Sequence, residues 1–286
     1  MNRLVLTVST GALAIALAAC GDNSTSPQAS NLDVTATDSA LVAVNTAANE
    51  TMADVNTLNG VSSTMGWSVA APNSGVSMNL VASQRPELSA NLKNDCTYNP
   101  ADGRFHCLVQ VNGNGVSVIR SLAFFDTTGA MMDHFDSTTA SMNVLATLSG
   151  IVVRTNGADT VNATRNLTAT GLFGHNTTRI WNGTGDGTHG AYWTDNTASR
   201  TSDVSFTTTF SNVVVDLPRS SNPYPVSGTI TRVVTGTGTV IKGNKKRTIT
   251  ISRTVTVTFN GTETVKMVTG SQTFTVDLAT GVATQN

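Results

Sequence analysis

From Arg247 to Phe259 the chain alternates without a break. Arg247, Ile249, Ile251, Arg253, Val255, Val257 and Phe259 take the odd positions, and Thr248, Thr250, Ser252, Thr254, Thr256 and Thr258 the even ones. A period of two sends the first set to one face of a strand and the second to the other. The run therefore dictates a half-buried β-strand with a hydroxylated wet face, where threonine is favoured. Its neighbours extend the pattern. A Gly243-Asn244 turn sets Gly236 and Gly238 opposite Ile251 and Ile249. Beyond Asn260-Gly261, a three-residue loop with Gly261 left-handed sets Val255 opposite Val265 and Arg253 opposite Met267. A turn at Ser271-Gln272 then sets Met267 opposite Val276 and Val265 opposite Leu278. These turns agree on one apolar face, the consistency expected of a real sheet.

Strand signals separated by Gly, Asn and Asp reach back to Gly60. Cys96 and Cys107 flank a hairpin with an Asp102-Gly103 turn, which sets Tyr98 opposite Phe105 and the cysteines opposite each other. The pairing predicts a disulfide, since zinc would need two further ligands and His106 points to the other face. A second hairpin, turning at Gly113-Asn114, pairs Val111 with Val116, Val109 with Val118 and Phe105 with Leu122. A parity switch between Phe210 and Val213 predicts a bulge near Ser211-Asn212. One segment differs: over 33–60, Leu41, Val44, Ala48, Met52 and Val55 recur at helical steps, with Asn59-Gly60 as the stop. The expected fold is an all-β antiparallel meander over 61–286, forming a curled sheet or incomplete barrel, with one N-terminal amphipathic helix at its opening. A transmembrane barrel is the rival, but aromatic girdles and a terminal aromatic residue are missing.

The N-terminus opens with Arg3, an apolar run from Leu4 to Leu17, and then Leu17-Ala18-Ala19-Cys20. Residues 1–19 have the form of a signal peptide, too short to span a membrane with soluble flanks. Leu-Ala-Ala-Cys resembles the lipobox of bacterial lipoprotein precursors. The resemblance implies that Cys20 becomes acylated and N-terminal, and that it anchors the chain to a membrane of the cell envelope. Gly21 rather than aspartate after the cysteine favours outer-membrane sorting. Residues 20–32 read as the lipidated cysteine and a flexible tether. With 17 Lys+Arg against 18 Asp+Glu, net charge gives no reason to expect nucleic acid. The charge is uneven, however: from Arg219 onward eight basic residues meet only Glu263 and Asp277.

The candidate binding residues are few. Gly236 and Gly238 interrupt the apolar face, either to curl the sheet or to leave room for a ligand. Arg232 and Arg253 fall on that same face, where buried cations are costly without acidic partners; they either bind an anionic headgroup or keep their guanidinium groups in water at the sheet margin. Trp181, Tyr192 and Trp193 bound a glycine-rich stretch that reads as a hairpin tip whose aromatics could stack on sugars, with Asp186 and His189 beside them. In Asp133-His134-Phe135-Asp136, strand alternation would separate Asp133 from His134. No nucleophile elbow, phosphate loop, dinucleotide fingerprint or metal-histidine pair is present, so no catalytic residue, metal or cofactor is assigned. The leading expectation is a non-enzymatic envelope lipoprotein binding a lipid or other amphipathic ligand on a curled sheet, which needs an unfilled interior. The alternative is a structural or adhesive envelope protein acting through loops and sheet edge, which needs a packed one. A hydrolase would require His189 or His134 to meet an acid and a nucleophile in one cleft.

Overall fold

Alternation of the kind seen over 247–259 recurs along most of the chain and builds a single antiparallel sheet. The structure, a computed structural model, describes residues 36–65, 96–111, 116–136, 138–154, 156–173, 176–194, 198–217, 222–279 and 281–286. The expected signal peptide, Cys20, the expected tether and the expected Gly113-Asn114 turn lie outside the described residues. One helix, α1 (Ala36–Thr64), precedes β1 (Cys96–Asn99), β2 (Arg104–Cys107), β3 (Gln110–Val111), β4 (Ser117–Asp126), β5 (Met131–Met132), β6 (Thr139–Arg154) and β7 (Gly157–Thr170). There follow β8 (Thr178–Thr194), β9 (Ala198–Asp216), β10 (Ser227–Lys242), β11 (Lys245–Thr258), β12 (Thr264–Thr269), β13 (Gln272–Asp277) and β14 (Ala283–Gln285).

The ladder runs β1-β2-β4-β6-β7-β8-β9-β10-β11-β12-β13-β14, with β3 and β5 added to β4. It is an open path whose ends, β1 and β14, are not joined. This corrects the expected curled sheet or incomplete barrel: the sheet is neither closed nor strongly curled. Gly236 and Gly238, expected either to curl the sheet or to leave room for a ligand, are positions of close packing. A Cβ on Gly236 would strike the Asp203 carbonyl and the Val204 Cα of β9, and one on Gly238 would press on the Ile249 side chain at 3.1 Å.

Much of the expected pairing is present. Cys96 faces Cys107 and Tyr98 faces Phe105, and the two cysteines form a disulfide. Phe105 faces Leu122, Gly236 faces Ile251 and Gly238 faces Ile249. Asn212 has φ of 50° and marks the bulge, after which Val213 and Val215 return to the core. Three registers differ. Val257, not Val255, lies beside β12, opposite Met267. Val265 faces Val276 and Met267 faces Phe274, around a Gly270-Ser271 turn. Both are slips by an even number of residues, which keep the face. In the second hairpin Gln110 faces Val118 and Val111 faces Ser117, an odd slip that leaves Val109 and Val111 exposed.

The disulfide closes a short hairpin at the end of the ladder. Its loss leaves β1 held by backbone bonds to β2 and the Tyr98–Phe105 ring contact, and Cys96→Ser with Cys107→Ser is expected to cost about 2–3 kcal/mol. Denaturant unfolding of the oxidised protein against the double variant measures it.

Helix α1 is buried far more completely than a stripe of five apolar residues implies. All six residues from Glu50 to Val55 are buried, more than one full turn, so no face there meets solvent. Two of its buried hydroxyls are satisfied within the helix: Thr51 Oγ1 donates to the Ala47 carbonyl at 2.7 Å and Thr57 Oγ1 to the Ala53 carbonyl at 2.9 Å. The helix also runs through Asn59-Gly60, the expected stop. Gly60 is there for space, since a Cβ would come within 3.0 Å of the Arg120 guanidinium.

Candidate functional site

The register lays the inner face of the central strands out in rows. One row reads Arg165, Gly185, Thr208, Arg232, Val255 across β7 to β11. Two arginines in a core row demand acids, and α1 supplies them one turn apart. Arg165 Nη2 donates to Glu50 Oε2 at 2.7 Å and its Nε to Asp54 Oδ1 at 2.6 Å, while Arg232 Nη2 donates to Asp54 Oδ2. Arg232 Nη1 also donates to Thr51 Oγ1 at 2.6 Å. All four charged side chains are at most 2 % exposed. Burial works against the Arg165 cation, but Asp54 and Glu50 outweigh it and hold its pKa above the usual value. Burial dominates for Arg232, which shares Asp54 and feels Arg165 beside it, and its pKa is lowered. Further along α1, burial lowers Arg120 to about 10; its Nη1 donates to Gln110 Oε1 at 2.8 Å.

The expected binding residues are thus dispersed. Arg232 is committed to the helix, and Arg253 donates through Nη2 to Ser39 Oγ at 2.9 Å. Gly236 and Gly238 are close-packing positions. Trp181 is buried in the core, Trp193 is half-buried beneath the Arg200 guanidinium 5.1 Å from its ring, and Tyr192 stands exposed on the opposite face. The stretch from Trp181 to Trp193 is no hairpin tip but lies within β8, paired on both sides. Its glycines make a slot: a Cβ on Gly185 would come within 2.6 Å of Arg165 Cδ, and one on Gly187 within 2.7 Å of Phe206 Cζ. The expectation of a ligand held on a curled sheet is overturned on both counts. The sheet is open, and its inner face is occupied by α1 and the ion pairs.

Sequence reasoning missed Glu50, Asp54 and Arg165. The signal was available, since Arg165 shares parity with Val161, Ala163 and Leu167 while Glu50 and Asp54 lie four apart on one helix face. The histidines form no common site. His106 Nε2 lies 2.7 Å from Asp102 Oδ2, on the surface. His189 is buried, with Nε2 3.9 Å from Asp159 Oδ1. His134 corrects the expected separation, because 133–136 is a bend: Nδ1 lies 2.6 Å from Asp133 and Nε2 3.1 Å from Asp136. The Asp133 hydrogen bond first, then Asp136, raises the His134 pKa above 6.5. A raised folded pKa stabilises fully below the unfolded value and is lost as pH climbs through the folded one. An NMR titration of His134 is expected to show a midpoint above 6.5 that falls in Asp133→Asn with Asp136→Asn.

What remains accessible is the outer face and the sheet margin. From β7 to β11 the outward positions are mostly Thr, Ser, Asn or Asp. One row reads Asn166, Thr184, Thr209, Thr231, Thr256 and another Asn162, Thr188, Ser205, Thr235, Ser252. A shallow depression of about 530 Å³ lies on this face, lined by Thr147, Asn162, Asp186, Thr207, Val233 and Thr235 among others. At the margin, β12 pairs with β11 only at Thr256–Thr258. Among the described residues, no group of three or more His, Cys, Asp or Glu is arranged to hold a metal ion. No protein-family model, curated protein or solved structure matches the chain.

Proposed function

We propose that this chain is a non-enzymatic envelope lipoprotein of structural or adhesive type, tethered through acylated Cys20 and meeting its partners through the margin, loops and outer face of the sheet. The observation that carries the reading is the filled interior. A helix buried on all sides and locked by Arg165 and Arg232 leaves the inner face nothing to offer a ligand, whereas the outer face displays hydroxyl, amide and carboxylate groups in regular rows. The Leu-Ala-Ala-Cys signature supports the anchor, and Gly21 supports the outer membrane as its site.

The test separates adhesion from anchoring. A Cys20→Ser form exported to the bacterial periplasm is expected to lose incorporation of a labelled fatty acid yet to stay with washed envelope fragments. Complete release of that form into the soluble fraction counts against adhesion. A stoichiometric lipid mass lost on denaturation in native mass spectrometry counts against the filled interior.

A further inference from the structure

The Gly243-Asn244 turn joins β10 to β11 with Lys242 opposite Lys245. In a two-residue hairpin the residues flanking the loop exchange both backbone hydrogen bonds, and hydrogen-bonded pairs then recur at every second residue. The odd residues of β11 therefore bond to β10. The even ones, Lys246, Thr248, Thr250, Ser252 and Thr254, turn their N–H and C=O groups away from it. Farther along, Thr256 and Thr258 use that side to meet β12, opposite Val268 and Lys266. Among the described residues no strand meets the five before them, and the side chains of all five are exposed. This margin is unlike the sheet's two ends, where β1 and β14 are only four and three residues long. Short ends are how sheets avoid unwanted pairing; a long margin with its hydrogen-bonding groups outward is a template for another strand.

We infer that the margin of β11 is a β-augmentation site for an extended polypeptide segment carrying acidic residues. This deepens the adhesive reading and rests on it. Main-chain bonds to the five outward residues hold the incoming strand, and side chains opposite β11 select it. On the inward side Arg247 and Ile249 are half-buried, Ile251 is buried and Arg253 already donates to Ser39, so the side chains that an incoming strand can meet lie toward the hairpin end of β11. Lys245 and Lys246 add positive charge at the open end. Exposed Lys242 beside them and exposed Lys266 on β12 extend that charge, so an acidic segment meets attraction as it approaches.

The probe is a capped nonapeptide in which threonine alternates with Glu, Val, Val and Glu, palindromic so that a glutamate reaches the basic hairpin end in either strand direction. Its counterpart carries lysine for glutamate. By fluorescence anisotropy on the full chain in detergent, the acidic peptide is expected to bind at least tenfold more tightly than the lysine peptide. Thr250→Pro removes an outward N–H while leaving the β10 ladder intact, and is expected to weaken binding at least tenfold. Methylating the peptide's alternate backbone nitrogens, with the protein untouched, is expected to do the same for the methylation register that meets β11. Equal binding to Thr250→Pro and by both methylated registers overturns the proposal, leaving only general charge attraction. No binding by any peptide overturns it too, as does concentration-dependent dimerisation abolished by Thr250→Pro, which would make a second copy the occupant. If the edge fails while the Cys20→Ser form still stays with envelope fragments, the adhesive reading stands and its contact lies in the loops or outer face.

Discussion

Asp54→Ala is expected to lower the free energy of unfolding by about 3–5 kcal/mol, read as a fall in the denaturant midpoint at unchanged slope. The size follows from what the carboxylate joins. Asp54 accepts from Arg165 Nε and from Arg232 Nη2, so its removal leaves two buried guanidinium groups with only Glu50 between them. Glu50→Ala removes a single contact to Arg165 and is expected to cost less. Replacing all four charged residues with apolar side chains of similar volume is a different experiment, because it leaves no ion behind. Such replacements are neutral or stabilising by about 1–4 kcal/mol in comparable networks. A large loss for Asp54→Ala together with a neutral fourfold apolar replacement would mean that the network fixes where α1 lies along the sheet more than it adds stability. A loss below about 1 kcal/mol for Asp54→Ala would mean that water reaches the arginines and that the packed inner face is wrong.

Strand parity was written in the sequence and strand register was not, for one physical reason. Alternation decides which residues share a face, and a slip of two residues preserves that decision. The pairing of Gly236 with Ile251 was legible because a two-residue turn leaves no slack. The connection after β11 spans Phe259 to Glu263 rather than a tight turn, so Val255 and Val265 no longer face each other although both stay inside. The odd slip at Val109 and Val111 has a local cause. The chain leaves the ladder at Leu108-Val109 between β2 and β3, and β3 is only two residues long. Too little apolar surface is at stake there to enforce the face.

The candidate site was legible only in part. Arg232 stood out as a cation in need of an acid, yet its partner came from a helix read as a simple apolar stripe. Glu50, Thr51 and Asp54 look like a solvent face until β7 and β10 are seen to bring arginines to it. Strand β8 was misread for a related reason. Its central inward positions are Gly183, Gly185 and Gly187, so there it lacks the apolar alternation that marks a strand, and the core volume beside them is supplied by side chains from β7 and β9. The margin of β11 was visible as a strand; that β12 covers only its last three residues depends on pairing that local sequence does not encode.

The same glycine slot gives the second large effect. Gly185→Ala is expected to destabilise by about 3 kcal/mol, at the upper end for overpacking, because the added methyl meets two groups that cannot both yield. Its Cβ would lie 2.6 Å from Arg165 Cδ and 2.6 Å from the Thr164 carbonyl oxygen. Moving the carbonyl disturbs the β7–β8 ladder; moving Arg165 draws its guanidinium away from Glu50 and Asp54. Gly190→Ala, on the opposite face of the same strand, is the control. Its nearest neighbour would be Asp203 Oδ1 at 3.4 Å, an ordinary contact, and the change is expected to stay within about 0.5 kcal/mol. A double-mutant cycle of Gly185→Ala with Arg165→Ala apportions the cost. Without Arg165 one of the two clashes disappears, so a coupling of about 1–2 kcal/mol is expected between the sites. Additivity of the two substitutions would assign the whole penalty to the β7 backbone. Coupling would instead establish that Gly185 leaves the space through which Arg165 of β7 reaches the helix.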